Sequence, residues 1–336
     1  MMRSMRFPAR SVSALAAIAL VVSSCSSDTN SENSSTNPNA LTIAAAFYPI
    51  SEIVSRVTND VDVNIVNLTP PGVGAHDHQL TAQQLDALSD ADAVFYLGGG
   101  LQPSVEKAVE QLPSSIVVVD LLDSATTIEI AKDADEHSSD SEHADEHDHA
   151  HEVEDDDHNH GDTDPHAWLD PANMARMTDS VVAALSTLSV DNADTFSQNG
   201  ETYRDELTQL GTDMDQAFTT CESRALVTSH DAFGYFAART NLDTVPIAGV
   251  SPDNEPSAKE LEDIAAAAQN AGATTVFFEN LLPDELAKTV ASVIGADVDS
   301  IDPIETLSES ALEDGETYIS IQRENIRKIA QGLRCQ

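Results

Sequence analysis

From residue 41 onward, short apolar runs alternate with amphipathic stretches. Residues 41–46, 61–68, 93–97 and 116–120 are apolar runs of strand length, and residues 50–58, 81–88 and 103–111 between them carry apolar positions at helical spacing. The alternation predicts βαβ units and a parallel sheet. A second series follows, with strands predicted at 225–229, 244–248, 274–279 and 297–301 and helices at 233–240, 257–271, 283–294 and 314–332. Ser257 and Glu260 form a capping-box pair behind Pro256, which marks a helix start.

Between the two series, Phe196, Tyr203, Leu207, Leu210, Met214 and Phe218 recur at helical spacing within residues 191–218. An unbroken helix of that length runs roughly 40 Å and can cross two lobes. The pattern predicts an α/β, bilobed chain. Lobes 41–190 and 219–336, each with a parallel-type sheet, are joined by one long backbone helix. Ligands of such folds favour the cleft at the carboxyl ends of the strands.

The amino end reads as an export leader. Arg3, Arg6 and Arg10 precede the apolar stretch 12–22, which is too short to span a bilayer. Val22-Ser23-Ser24-Cys25 resembles the lipobox of bacterial lipoproteins, which makes residues 1–24 a signal peptide and Cys25 the lipidated residue. Residues 25–40 are then a Ser/Asn-rich tether. The expected location is extracytoplasmic, with the membrane reached only through the N-terminal lipid and the body a monomer. With Cys25 committed to lipid, Cys221 and Cys335 remain as a pair in an oxidising compartment. A disulfide between them, worth roughly 2–4 kcal/mol, is expected over two free thiols.

Sixteen basic residues stand against 58 acidic ones, a formal charge of −42. That balance argues against nucleic acid and anionic lipid as partners and favours cations. Within residues 133–160, His137, His143, His147, His149, His151, His158 and His160 sit among carboxylates with almost nothing apolar. Such a stretch buries too little surface to offset its ordering entropy and predicts a disordered loop that binds divalent metal. A solvated spacer with incidental metal affinity has the same composition.

Three further histidines stand at strand-to-helix junctions: His76 in Pro70-Pro71-Gly72-Val73-Gly74-Ala75-His76-Asp77-His78, His166 in Asp164-Pro165-His166-Ala167-Trp168-Leu169-Asp170-Pro171, and His230 in Ser229-His230-Asp231-Ala232-Phe233-Gly234-Tyr235-Phe236. A lone loop histidine is commonly a satisfied polar residue, whereas three on rigid strand ends around one cleft point to a site. These segments resemble the zinc- and manganese-specific solute-binding proteins of bacterial metal ABC importers (the ZnuA/TroA-like family), over nearly the whole mature chain. Ile301-Asp302-Pro303-Ile304-Glu305-Thr306 with Asp314-Gly315-Glu316-Thr317-Tyr318 is similar to that family's C-terminal signature. The resemblance implies His76, His166, His230 and Glu305 as metal ligands, the tract at 133–160 as the zinc members' His-rich loop, and a cognate ABC permease with its ATPase as partner. Ala75 and Gln79-Leu80 replace the family's usual proline and Glu-Pro around the first histidine. The ligand role goes to His76 by register, with His78 as an accessory.

Three imidazoles and one carboxylate suit Zn²⁺, held tetrahedrally at roughly 2.0–2.2 Å, while a manganese site is richer in oxygen. Asp164, Asp170 and Asp231 are candidates to orient the rings or to cap helices. The expected function is capture of Zn²⁺ as transported ligand for import. Manganese carriage by the same family fold and passive metal buffering by the tract are the alternatives. An enzyme is not expected. His-Glu-x-x-His is absent, His76-Asp77-His78 lacks the continuation of a metallo-β-lactamase motif, and four protein ligands leave no open position for an activated water.

Overall fold

A computed structural model describes residues 40–130, 163–252, 256–280 and 282–336. The leader, Cys25, nearly all of the tether and the seven tract histidines lie outside the described residues. The first sheet is built from β1 (Leu41–Ala45), α1 (Tyr48–Val57), β2 (Val63–Asn67), α2 (Ala82–Ser89), β3 (Ala93–Tyr96), α3 (Pro103–Val109) and β4 (Val117–Asp120). Its strands are all parallel, in the order β2-β1-β3-β4. Ile43, Ala44 and Ala45 are fully buried, which is why β1 reads as an unbroken apolar run and not an alternating one.

Two helices follow that cross between the sheets. The shorter, α4 (Pro171–Leu188), was not expected from the sequence, and it packs along α5 (Ala193–Ala217). Its signals are present in retrospect: Asp170 caps it by accepting from the Ala172 N–H at 3.0 Å, Pro171 opens the first turn, and Met174, Met177, Val181 and Leu185 form a buried stripe. Gly200 lets the two helices close, since a Cβ there would lie 2.5 Å from Val182 Cγ2. As the periodicity required, α5 buries Phe196, Tyr203, Leu207, Leu210 and Met214.

The second sheet repeats the topology of the first. It comprises β5 (Ala225–Thr228), α6 (Gly234–Thr240), β6 (Asp243–Pro246), α7 (Ala258–Asn270), β7 (Thr275–Glu279), α8 (Glu285–Ile294) and β8 (Asp297–Ile301), in the parallel order β6-β5-β7-β8. The Ser257–Glu260 capping box starts α7. The helix expected over 314–332 is α10 (Tyr318–Gly332), which starts four residues later, and a short α9 (Glu309–Glu313) that was not expected precedes it. Gly315, at φ +71°, breaks the chain between them, and Thr317 caps the second.

In each sheet the first strand has neighbours on both sides, so the crevice at the strand ends opens there. The described residues pack as one unit, and the main core is continuous from Ile43 and Phe95 in the first sheet through Trp168 and Tyr203 to Leu226, Phe277 and Tyr318. A smaller core lies under α7 and α8, around Val227, Val276 and Val290. Cys221 is bonded to Cys335, which ties the chain end to the segment before β5. Among the described residues no helix is long and apolar enough to cross a membrane.

Candidate metal centre

Each candidate ligand is placed by a different device. His230 follows β5, whose four residues are all buried, and Thr228 Oγ1 donates to its carbonyl at 2.8 Å. Its backbone N–H donates to Glu279 Oε1 at 3.0 Å, and its Nδ1 lies 2.6 Å from Glu279 Oε2. His166 is fully buried, with both its backbone N–H (2.9 Å) and its Nδ1 (2.8 Å) on Asp164 Oδ1. The loop carrying His166 is stitched to the second half of the chain. Tyr235 Oη donates to Asp164 O (2.6 Å), Trp168 Nε1 to Pro303 O (2.7 Å), Tyr318 Oη to Trp168 O (2.6 Å) and Gln322 Nε2 to Leu169 O (2.9 Å).

His76 ends the Gly-rich loop after β2, where Gly72, at φ +76°, donates its N–H to Leu307 O at 2.8 Å. Glu305 is aimed by a strained turn. Ile304 is buried at φ +60°, a left-handed conformation that costs a β-branched residue roughly 1–3 kcal/mol. Asp302 Oδ1 holds that turn by accepting the Ile304 N–H at 2.7 Å.

The four side chains converge. His76 Nε2 is 3.2 Å from His166 Nε2, and Glu305 Oε1 is 3.5 Å from both His76 Nε2 and His230 Nε2. All four donor atoms fall within 4.8 Å of one another. A tetrahedral ion with bonds near 2.1 Å has donor–donor edges of about 3.4 Å, and the three contacts of 3.2, 3.5 and 3.5 Å are close to that length. Glu305 Oε2 accepts the Ala75 N–H at 3.4 Å, which leaves Oε1 as the free donor. Neither ring nitrogen of His230 has an in-line hydrogen-bond partner, although the residue is only 1 % exposed. The buried His230 Nε2, with no in-line hydrogen-bond partner and facing the other donor atoms, fits a metal ligand.

The charges are prepared for that cation. Burial pushes His166 below the usual imidazole value, despite the opposing pull of Asp164, and keeps it neutral. Burial also acts against protonation of His230, but the Glu279 and Glu305 carboxylates outweigh it and raise its pKa to about 10. Glu305 resists burial in turn, because His230 and His76 hold its carboxyl well below the usual range. A cavity of about 410 Å³ opens onto the centre between Gly72, His76, His230, Glu279 and Asp302, with His166 behind the other ligands.

Other sequence candidates take different places. The His78 ring lines the cavity but meets Gln84 Nε2 at 3.1 Å and is outside the four-residue cluster. Asp170 caps α4 and accepts from Arg239 Nη1 at 2.9 Å, so it orients no ring. Glu279 was missed by sequence reasoning. Its signal was a carboxylate closing a strand otherwise fit for burial.

The comparison with known proteins decides the family. A family model described as "Zinc-uptake complex component A periplasmic" matches residues 43–332. The chain belongs to that family. It is 30 % identical over 327 residues to the high-affinity zinc uptake system protein ZnuA of Bacillus subtilis, covering 95 % of this chain and 96 % of that one. It is 28 % identical over 288 residues to the zinc-binding protein AdcA of Streptococcus pyogenes, covering 85 % of this chain and 55 % of the relative. The chain therefore spans about half the length of the AdcA relatives it matches. The crystal structure of the Zn(II)-bound ZnuA-like domain of Streptococcus pneumoniae AdcA superposes with a TM-score of 0.69 at 25 % identity, over 88 % of this chain and 99 % of that one.

Proposed function

We propose that this chain captures Zn²⁺ outside the cytoplasm and delivers it to a membrane ABC permease, whose ATPase drives import. His76, His166, His230 and Glu305 are the ligands, and the ion is cargo. The observation that carries this reading is the convergence of three histidine Nε2 atoms and one carboxylate oxygen within 4.8 Å. The names of the relatives, a zinc-binding protein and a high-affinity zinc uptake protein, support the choice of metal. The domain plan is a leader over 1–24, a tether to residue 40, lobes 41–190 and 219–336, and a linking helix between them. Cys25 carries the lipid anchor and the body works as a monomer. The histidines of residues 133–160 act as weak accessory sites.

The test is zinc titration against a competing chelator, with metal analysis of the purified mature chain. One tight zinc per chain is expected, lost in His166→Ala and His230→Ala. Unchanged affinity in both variants would exclude this site.

A further inference from the structure

We propose that Glu279 is a positioning residue that makes His230 a fixed zinc donor, by holding the backbone and the ring of that one residue at the same time. The inference rests on the reading of the centre given above. Glu279 closes β7, the strand beside β5, and is 1 % exposed. Its Oε1 takes the His230 backbone N–H at 3.0 Å while its Oε2 stands 2.6 Å from Nδ1. A carboxylate hydrogen-bonded to the backbone and in ion-pair contact with the ring of one residue resists rotation of that ring about its side-chain bonds. With Nδ1 held against Glu279, Nε2 is the nitrogen left to face Glu305 Oε1.

The same device holds His166, where Asp164 Oδ1 takes both the backbone N–H and Nδ1. His76 meets His166 and Glu305 through Nε2. The centre thus has two clamped imidazoles. Clamped imidazoles backed by carboxylates are strong nitrogen donors, which favours an ion that prefers imidazole over one that prefers oxygen. Glu279 accordingly contributes to discrimination between zinc and manganese without touching the metal.

The experiment uses the full mature chain with Glu279→Gln, which is isosteric and uncharged, and Glu279→Asp, which keeps the charge on a shorter arm. Zinc affinity, the ratio of zinc to manganese affinity, the visible absorption of the Co²⁺ complex and the melting temperature of the metal-free protein are measured. Glu279→Gln is expected to weaken zinc about 10–100-fold, narrow the ratio and shift the tetrahedral Co²⁺ bands, with Glu279→Asp intermediate. Wild-type affinity and bands in Glu279→Gln overturn the proposal. So does a loss of affinity that follows the melting temperature while the Co²⁺ bands stay unchanged, for that is a merely structural role. If Glu279→Gln does not fold, Glu279→Asp decides, and wild-type values there overturn the proposal. Absence of tight zinc in the unaltered chain overturns the reading of the centre as well, so the two failures are distinguishable.

Discussion

Zinc capture near pH 7 should release close to one proton per ion, and that proton belongs to His230. Facing carboxylates raise its pKa to about 10, so the metal-free site holds an imidazolium between Glu279 and Glu305. His166 is already neutral through burial, and Glu305 is already ionised. Zinc must therefore displace the proton on His230 Nε2 before it can bind there. The gap from pH 7 to about 10 is roughly three units, or about 4 kcal/mol of binding free energy at ~1.4 kcal/mol per unit. The apparent zinc affinity should rise about tenfold per pH unit from pH 7 and level off near pH 10. Calorimetry in two buffers of different ionisation enthalpy gives the proton count, and chelator-buffered titrations at pH 7, 8 and 9 give the slope. No proton release together with a flat affinity over that range would refute the charge assignment.

Further expectations concern the scaffold. Gly234→Ala places a Cβ 2.7 Å from Asp164 Oδ2 and should loosen His166, with zinc affinity falling roughly tenfold in chelator competition. Wild-type affinity there would show that Asp164 can shift without cost. In the metal-free protein, His230 contributes stability in full below the unfolded imidazole value of ~6.5, and that contribution is lost as pH rises towards about 10. Melting temperatures over this window should fall. Reduction of the Cys221–Cys335 bond should lower stability by about 2–4 kcal/mol in denaturant titration, with zinc stoichiometry unchanged. Excision of residues 133–160 leaves the antiparallel bridge between Glu129 and Thr163 at the base of the insertion. One tight site should survive in the trimmed chain and the weaker ones vanish.

The sheets were legible because central parallel strands are buried on both faces, so β1, β3 and β5 stand out as runs without needing alternation. Helix α5 was legible from its buried stripe. Its partner α4 was not read, because small residues and Met dilute its apolar face and its cap is a single Asp-Pro step. Among the centre's residues, the three histidines carried their own signal through type and position. Glu305 came only from resemblance, since its aim depends on the left-handed turn at Ile304. The Trp168–Pro303 bond spans 135 positions of chain, and the pairing of Glu279 with His230 spans 49, so neither has a local pattern to betray it.

Anomalous diffraction at the zinc edge from crystals of the zinc-loaded chain tests the central claim most directly. A single strong peak is expected, within about 2.0–2.2 Å of His76 Nε2, His166 Nε2, His230 Nε2 and Glu305 Oε1. A zinc peak elsewhere, with no peak among these four atoms, would contradict the assignment of the cleft as the capture site.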